Sequence, residues 1–565
     1  MTTIPSDCSR RQSCPRGAFI LLALSLSIRA GAETLPDDSA VPSTISLAGV
    51  LTPTVIDATA PVIDSITILN GSIFDPQIPE ENKAFYKLAN KIHITTRPAV
   101  IEQQLLFTEG EKLTLGDLKE SERILRSNRY IQDASIETLR NADGTVDVNV
   151  RTSDVWTLIP RVSFSRTGGE NNSGIGVKEM NLLGTGMEIE ALYKSSIDRD
   201  SLTFKFFDEH LGSSWYSLTA IAGRNSDGHT GLLDFRKPFY SLDSHTAHGV
   251  SYLNNDQIDS LYEGGEITNQ FRDEAESFEI FQGWSSGLDN GWTKRYLTGF
   301  SYDSHQFSPL DNGTSLSAAV PENRKFVYPF VGIEILEDRY EEARNVEQVN
   351  RTEDHYLGTR FAAQLGYAST ALGSDRDAWM INAGAQTGFG SVKSSSLMLA
   401  SNLAARMEDS GVQNLTLGVS ARYYRRQSEK RLFYASLSGI YGNNLDLDNQ
   451  LLLGGDNGLR GYPLRYRSGD RSALLTIEQR FFTDWYPFRL FRVGAAVFFD
   501  AGKTWQSQNA AGPNQGLLRD VGFGLRLGNS RSGQGRMAHI DLAFPLDGDQ
   551  SIKNVQLIIE TKKSF

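Results

Sequence analysis

The chain has almost no cysteine: two residues in 565, Cys8 and Cys14. Everything after them is free of thiols, which excludes a disulfide framework, cysteine metal sites and cysteine nucleophiles there. Long hydrophobic runs are also missing. After the first thirty residues nothing approaches roughly 18 consecutive apolar residues, so a helical membrane protein is excluded. Basic charge is in deficit, with 56 Lys and Arg against 68 Asp and Glu. The net charge of −12 argues against a nucleic-acid partner, which needs a basic face. The eight histidines are scattered, and no Gly-x-Ser-x-Gly, Walker loop or paired-His zinc motif occurs. What remains is 39% hydrophobic and 22% charged, with a mean hydropathy of −0.32. By average this is a soluble protein. One membrane architecture escapes such averages. In a transmembrane β-barrel only alternate residues face lipid, so no run appears. The 51 glycines and 10% aromatic content point that way.

The first 32 residues read as a secretory signal peptide. Arg10, Arg11 and Arg16 precede an apolar core from Ala18 to Ile28, and Ala30-Gly31-Ala32 fits a small-x-small cleavage site. Cleavage there would remove both cysteines. It would also remove four Arg and one Asp, leaving a charge of −15. Residues 33–60 are rich in Pro, Ser, Thr, Ala and Asp without periodicity, as in a flexible linker.

Residues 61–152 carry the pattern of a small α+β unit. Val62 to Leu69 reads as a strand. Phe85, Leu88, Ala89 and Ile92 recur at i, i+3, i+4 and i+7, which predicts a helix with that face buried. Val100 to Phe107 reads as a second strand. Thr114 with Asp117 resembles a capping box that starts a helix running to about Ser127 and burying Leu115, Leu118, Ile124 and Leu125. Ile131 to Leu139 is a further strand, Asp143-Gly144 a hairpin turn, and Val146, Val148 and Val150 mark a half-buried strand.

Residues 153–565 are written in period two. Met187, Ile189, Ala191 and Tyr193 alternate with Glu188, Glu190, Leu192 and Lys194. Leu415 to Tyr423, Phe433 to Tyr441 and Val493 to Phe499 repeat the pattern. Segments of about ten residues with turns between them predict a transmembrane antiparallel barrel. Closure leaves no edge unpaired, as hydrocarbon demands. Between about 16 and 21 such segments can be drawn. Residues 306–324 and 341–354 read as long external loops. No repeat of 40–50 residues supports a propeller. The terminal Phe565 suits a barrel's last strand, although Lys563 interrupts its alternation.

Three motifs refine this. The first is Asn181-Leu-Leu-Gly184-Thr-Gly186. The second is LLLGGDNGLRGYPLRY, Leu451 to Tyr466, with Gly454, Gly455 and Gly458 ahead of Arg460-Gly461-Tyr462. The third is a pair of wall strands, LLTIEQRFF and VGAAVFFDAGKTW. Period-two counting puts Glu478 and Asp500 in the lumen on consecutive strands. A guanidinium can bond two such carboxylates with its planar fork.

These motifs closely resemble those of the BamA/TamA and two-partner-secretion transporter superfamily of outer-membrane proteins. VGFGLRLG (521–528) and HIDLAFPL (539–546) resemble its final strands. VIEQQLLFTEGEKLTLGDLKESERILRSNRYIQDASI resembles a POTRA domain, the periplasmic repeat of such proteins, in a single copy over residues 61–152. The resemblance implies 16 barrel strands, whereas the segment count allows up to about 20. It also implies that the loop folds into the lumen and that its arginine contacts the two acidic residues. The implied protein sits in the bacterial outer membrane with its POTRA domain in the periplasm. It would assemble, insert or export unfolded outer-membrane or secreted client proteins, without catalytic residues, metal or cofactor. A passive porin-like channel and, more remotely, a barrel enzyme are the alternatives.

Overall fold

The computed structural model describes residues 60–310, 319–349, 351–506, 516–533, 537–548 and 552–562. The segment read as a signal peptide, nearly all of the segment read as a linker, and Phe565 lie outside the described residues.

The N-terminal region is α+β. Its three-stranded sheet places Val146–Asp154 between Ile63–Gly71, to which it runs parallel, and Ile131–Arg140, to which it runs antiparallel. Val146, Val148 and Val150 are buried, as their alternation demands. They meet Leu118 and Leu125 of the helix Leu115–Ser127 in one core with Ile63, Ile101 and Phe107. Thr114 caps that helix, with its hydroxyl oxygen accepting from the Asp117 amide at 3.1 Å. Leu118 and Leu125 are fully inside, whereas Leu115 and Ile124 are half-buried.

Two expectations fail here. The apolar run from Val100 to Phe107 is not a strand. Pro98–Glu102 is a short helix with Pro98 at its start, where the fixed φ and missing N–H of proline are tolerated. Val100, Ile101, Leu105 and Phe107 are buried all the same. A short apolar run satisfies strand and helix patterns alike. The second failure concerns the helix Ala84–Ile92. It exists, but it buries Tyr86 and Ala89, while Phe85, Leu88 and Ile92 point outward.

The rest of the chain is a closed barrel of 20 antiparallel strands, from Leu158–Thr167 to Gln556–Lys562. The 16 strands implied by resemblance are therefore too few, and the upper segment count is right. Residues 306–324 join Trp292–Pro309 to Arg324–Glu337, as the loop reading expects, although 306–309 and 324 belong to those strands. Thr246–Glu263, Glu266–Asp289 and Trp292–Pro309 have 18, 24 and 18 residues, well beyond the roughly 9–11 needed to span a bilayer. Ile189, Leu417, Val419, Leu437 and Val497 face outward, while Glu188, Thr416, Glu478 and Asp500 are buried on the inner face. The first and last strands meet through one registered pair, Arg166 with Ile559. Elsewhere neighbouring barrel strands are in register over at least seven residues.

Residues 341–354, by contrast, are not an external loop. They join Arg324–Glu337 to Arg360–Ala368 at the end where the N-terminal region sits. The hairpin Tyr340–Ala343 with Glu353–Tyr356 carries Val346 and Val349 into a core with Tyr424, Phe482 and Ala496. Apolar residues there gain burial by folding into the barrel mouth.

Candidate functional site

The loop with the Arg-Gly-Tyr sequence hangs from the far end of the barrel, between strands Arg431–Asn443 and Arg471–Phe482. A two-stranded stem forms its base, Leu451–Leu453 paired with Arg467–Gly469. Gly454, Gly455 and Gly458 all have positive φ, which glycine adopts without steric cost. A Cβ on Gly458 would stand 2.3 Å from Leu474 Cδ2. These glycines let the tip fold back against the wall. Leu453, Leu459, Tyr462 and Tyr466 then form a core with Leu518 and Ile552.

Arg460 is buried at the tip. It donates from Nε to Asp500 Oδ2 at 2.7 Å and from Nη2 to Asp500 Oδ1 at 3.0 Å. Its Nη1 donates to Glu478 Oε1 at 2.9 Å. The guanidinium lies 3.4 Å above the centre of the Phe498 ring, a cation–π contact on the same wall strand as Asp500. Thr476 Oγ1 donates to Asp500 Oδ1 at 2.8 Å. Charge-assisted bonds of this kind are the strong ones, and a fork fixes geometry as well as energy.

Gly461 packs against the wall, where an added Cβ would stand 2.7 Å from Asp520 Cβ. The Tyr462 hydroxyl lies 2.7 Å from the Arg519 carbonyl and 3.1 Å from the Asp547 carbonyl, and accepts from the Arg519 amide at 3.1 Å. The structure thus brings together Arg460, Gly461, Tyr462, Glu478 and Asp500.

Sequence reasoning stopped short of the whole constellation. Asp541 Oδ2 is 3.7 Å from Arg460 Nη1, and Asp541 also bonds the buried Arg526. Arg480 donates from Nε to the other oxygen of Glu478 at 3.0 Å and reaches Glu347 at 3.5 Å. Its Nη1 also donates to the Val346 carbonyl at 2.8 Å. Period-two counting within the quoted strands places Arg480, Arg526 and Asp541 inside. Nothing in the sequence announces that Glu347 comes from the opposite mouth.

The near-mouth hairpin is linked to the N-terminal region. Arg126 of the helix Leu115–Ser127 grips Asp354 through Nη2 at 2.6 Å and Nε at 3.0 Å, and Glu342 at 2.9 Å. The Asn181–Gly186 motif makes a second tie. Asn181 Nδ2 donates to Thr96 Oγ1 at 2.8 Å, and the Arg97 amide donates to the Gly184 carbonyl at 3.0 Å. A Cβ on Gly184 would stand 2.4 Å from the Thr95 carbonyl oxygen. That glycine serves close approach to the N-terminal region as well as the turn.

A polar cavity of about 1140 Å³ remains in the lumen beside the loop, lined by Asp198, Arg199, Asp259, Arg324 and Arg465 among others. Among the described residues no group of three His, Cys, Asp or Glu side chains is placed to hold a metal ion. His248 meets the Tyr216 hydroxyl at 2.8 Å, and His245 lies in the turn before that strand.

Neither a family model nor a curated protein sequence matches this chain. Solved structures do. BamA from Haemophilus ducreyi lacking POTRA domains 1-3 is 12% identical, with 89% of this chain and 84% of that chain covered and a TM-score of 0.41. CdiB from Acinetobacter baumannii is 14% identical over 89% and 73%, with a TM-score of 0.43. CdiB from Escherichia coli is 13% identical over 89% and 76%, with a TM-score of 0.47.

Proposed function

We propose that this chain is an outer-membrane barrel of the BamA/TamA and two-partner-secretion kind, which assembles, inserts or exports other proteins. The observation that carries this reading is the Arg460 loop folded into the lumen and bonded to Glu478 and Asp500 on two wall strands. Residues 61–152 are read as one POTRA domain in the periplasm, and residues 153–565 as the barrel. The small sheet offers a strand edge or groove to an extended client segment. Arg460, Glu478 and Asp500 stiffen the barrel and do no bond chemistry. The seam between the first and last strands, with its single registered pair, is where the wall opens at least cost.

A passive porin gains nothing from a lumen obstructed from both mouths, by the loop Leu451–Gly469 and by residues 340–357. Depletion of the protein followed by a survey of the outer-membrane and secreted proteomes tests the reading. Specific client proteins should fall in abundance. An unchanged proteome with lost solute uptake would identify a porin instead.

A further inference from the structure

The helix Ala84–Ile92 divides into three sectors at roughly 100° per residue. Tyr86 and Ala89 pack inward against Ile73 and Phe74. Lys83, Lys87 and Lys91, spaced by four, form an exposed basic stripe. Between these sectors stand Phe85, Leu88 and Ile92, which are 66%, 56% and 60% exposed. An apolar stripe beside a lysine stripe is the pattern of a helix lying in a membrane interface.

The neighbouring barrel turn has the same character. Residues 483–490 join two wall strands, and there Trp485 is 65% and Phe488 77% exposed. Phe488 holds a positive φ of 56°, uncommon for a bulky residue and a sign of local constraint. The helix is tied to this turn. The Tyr86 hydroxyl donates to the Phe488 carbonyl at 3.1 Å, and Arg489 pairs with Glu80 at 3.2 Å. The strand that leaves the turn, Phe491–Trp505, carries Phe491 and Val497 on the barrel's outer face.

We propose that the helix Ala84–Ile92, together with Trp485 and Phe488, docks on the surface of the bilayer that surrounds the barrel. The inference rests on reading the barrel as membrane-spanning. Phe85, Leu88 and Ile92 enter the headgroup boundary as a continuation of the barrel's outer belt. The three lysines meet anionic phospholipid headgroups, to which their charge is complementary. The N-terminal region is thereby held at a fixed angle beneath the barrel.

The test uses the full chain, with Cys8→Ser and Cys14→Ser, reconstituted in phosphatidylethanolamine vesicles holding a minor share of phosphatidylglycerol. A polarity-sensitive fluorophore is placed at Leu88→Cys, at Ser135→Cys on the exposed sheet surface, or at Leu437→Cys on the barrel wall. The Leu88 label should be quenched by lipids with brominated chains, and iodide should quench it about threefold less than the Ser135 label. Changing all three lysines to Gln should reduce the brominated-lipid quenching. Equal iodide access at Leu88 and Ser135, or protection of Leu88 only after an unfolded polypeptide is added, would overturn the docking. A Leu437 label untouched by brominated lipid would overturn the membrane reading itself, and the docking with it.

Discussion

Glu478 and Asp500 lie on adjacent strands but not opposite each other: Asp500 is in register with Thr476, and Glu478 with Phe498. The two carboxylates are therefore diagonal neighbours, and one guanidinium fits between them. Residues directly opposite would have held like charges close together, which is destabilising. The diagonal lets Arg460 fork onto Asp500 and extend its third nitrogen to Glu478.

Breaking this arrangement leaves buried charge behind. Arg460→Ala should destabilise the folded barrel by about 3–5 kcal/mol, the usual cost of removing one partner of a buried pair. Asp500→Ala should resemble it. The unfolding midpoint in urea measures the effect, and heat-modifiable gel migration reports the folded barrel. Wild-type behaviour of both variants would show that the loop is not held by these bonds.

Arg460→Lys keeps the charge and loses the fork. A lysine ammonium cannot present two parallel donors to Asp500 while reaching Glu478. Its stability should fall between wild type and Arg460→Ala in the same urea series. A midpoint equal to wild type would mean that charge alone suffices.

Gly458→Ala tests the fold-back of the loop without touching a charge. The residue has a φ of 95°, and an added Cβ would stand 2.3 Å from Leu474 Cδ2. The variant should expose the loop to added protease in intact cells, where wild type should resist. Cleavage mapped within residues 444–470 is the readout.

Tyr462→Phe removes one hydroxyl that joins the loop to the Arg519 and Asp547 backbones. The Arg519 amide then loses an acceptor as well. A loss of about 0.5–1.5 kcal/mol is expected from hydrogen bonds at a partly buried site, read from the shift in urea midpoint.

Arg126 and Asp354 tie the N-terminal region to the segment that fills the near mouth. Arg126→Ala and Asp354→Ala should each loosen that region, read as faster protease cleavage near residues 153–157. The double variant should cost less than the sum of the singles, since the two residues share one interaction. Strict additivity in a double-mutant cycle would show the pair to be energetically idle.

Much of this molecule was legible as a pattern. Val146, Val148 and Val150 identify their own strand, because a half-buried strand alternates and few other structures do. Thr114 and Asp117 mark a helix start through a local bond. The inward placement of Glu478 and Asp500 follows from counting by two. Where patterns were ambiguous the reading failed. Val100 to Phe107 suits helix and strand equally. Phe85, Leu88 and Ile92 have the spacing of a core face and yet are exposed, because periodicity reports which residues share a side and not what lies opposite. Residues 341–354 look like a loop in sequence, but Val346 and Val349 find burial only because the barrel mouth is there.

The sequence by itself determined the alternation, the wall that alternation builds and the glycine-rich loop that carries Arg460. These depend on bonds and periodicities a few residues long. Only the tertiary structure decided that 20 strands close, since strand number depends on how neighbouring segments pair around the whole ring. It also decided that Arg460 meets carboxylates 18 and 40 residues away, and that Arg480 joins them to Glu347, 133 residues earlier in the chain. Closure places the far-end loop and the near-mouth hairpin in one lumen. Shared confinement, and no local signal, makes partners of their charges.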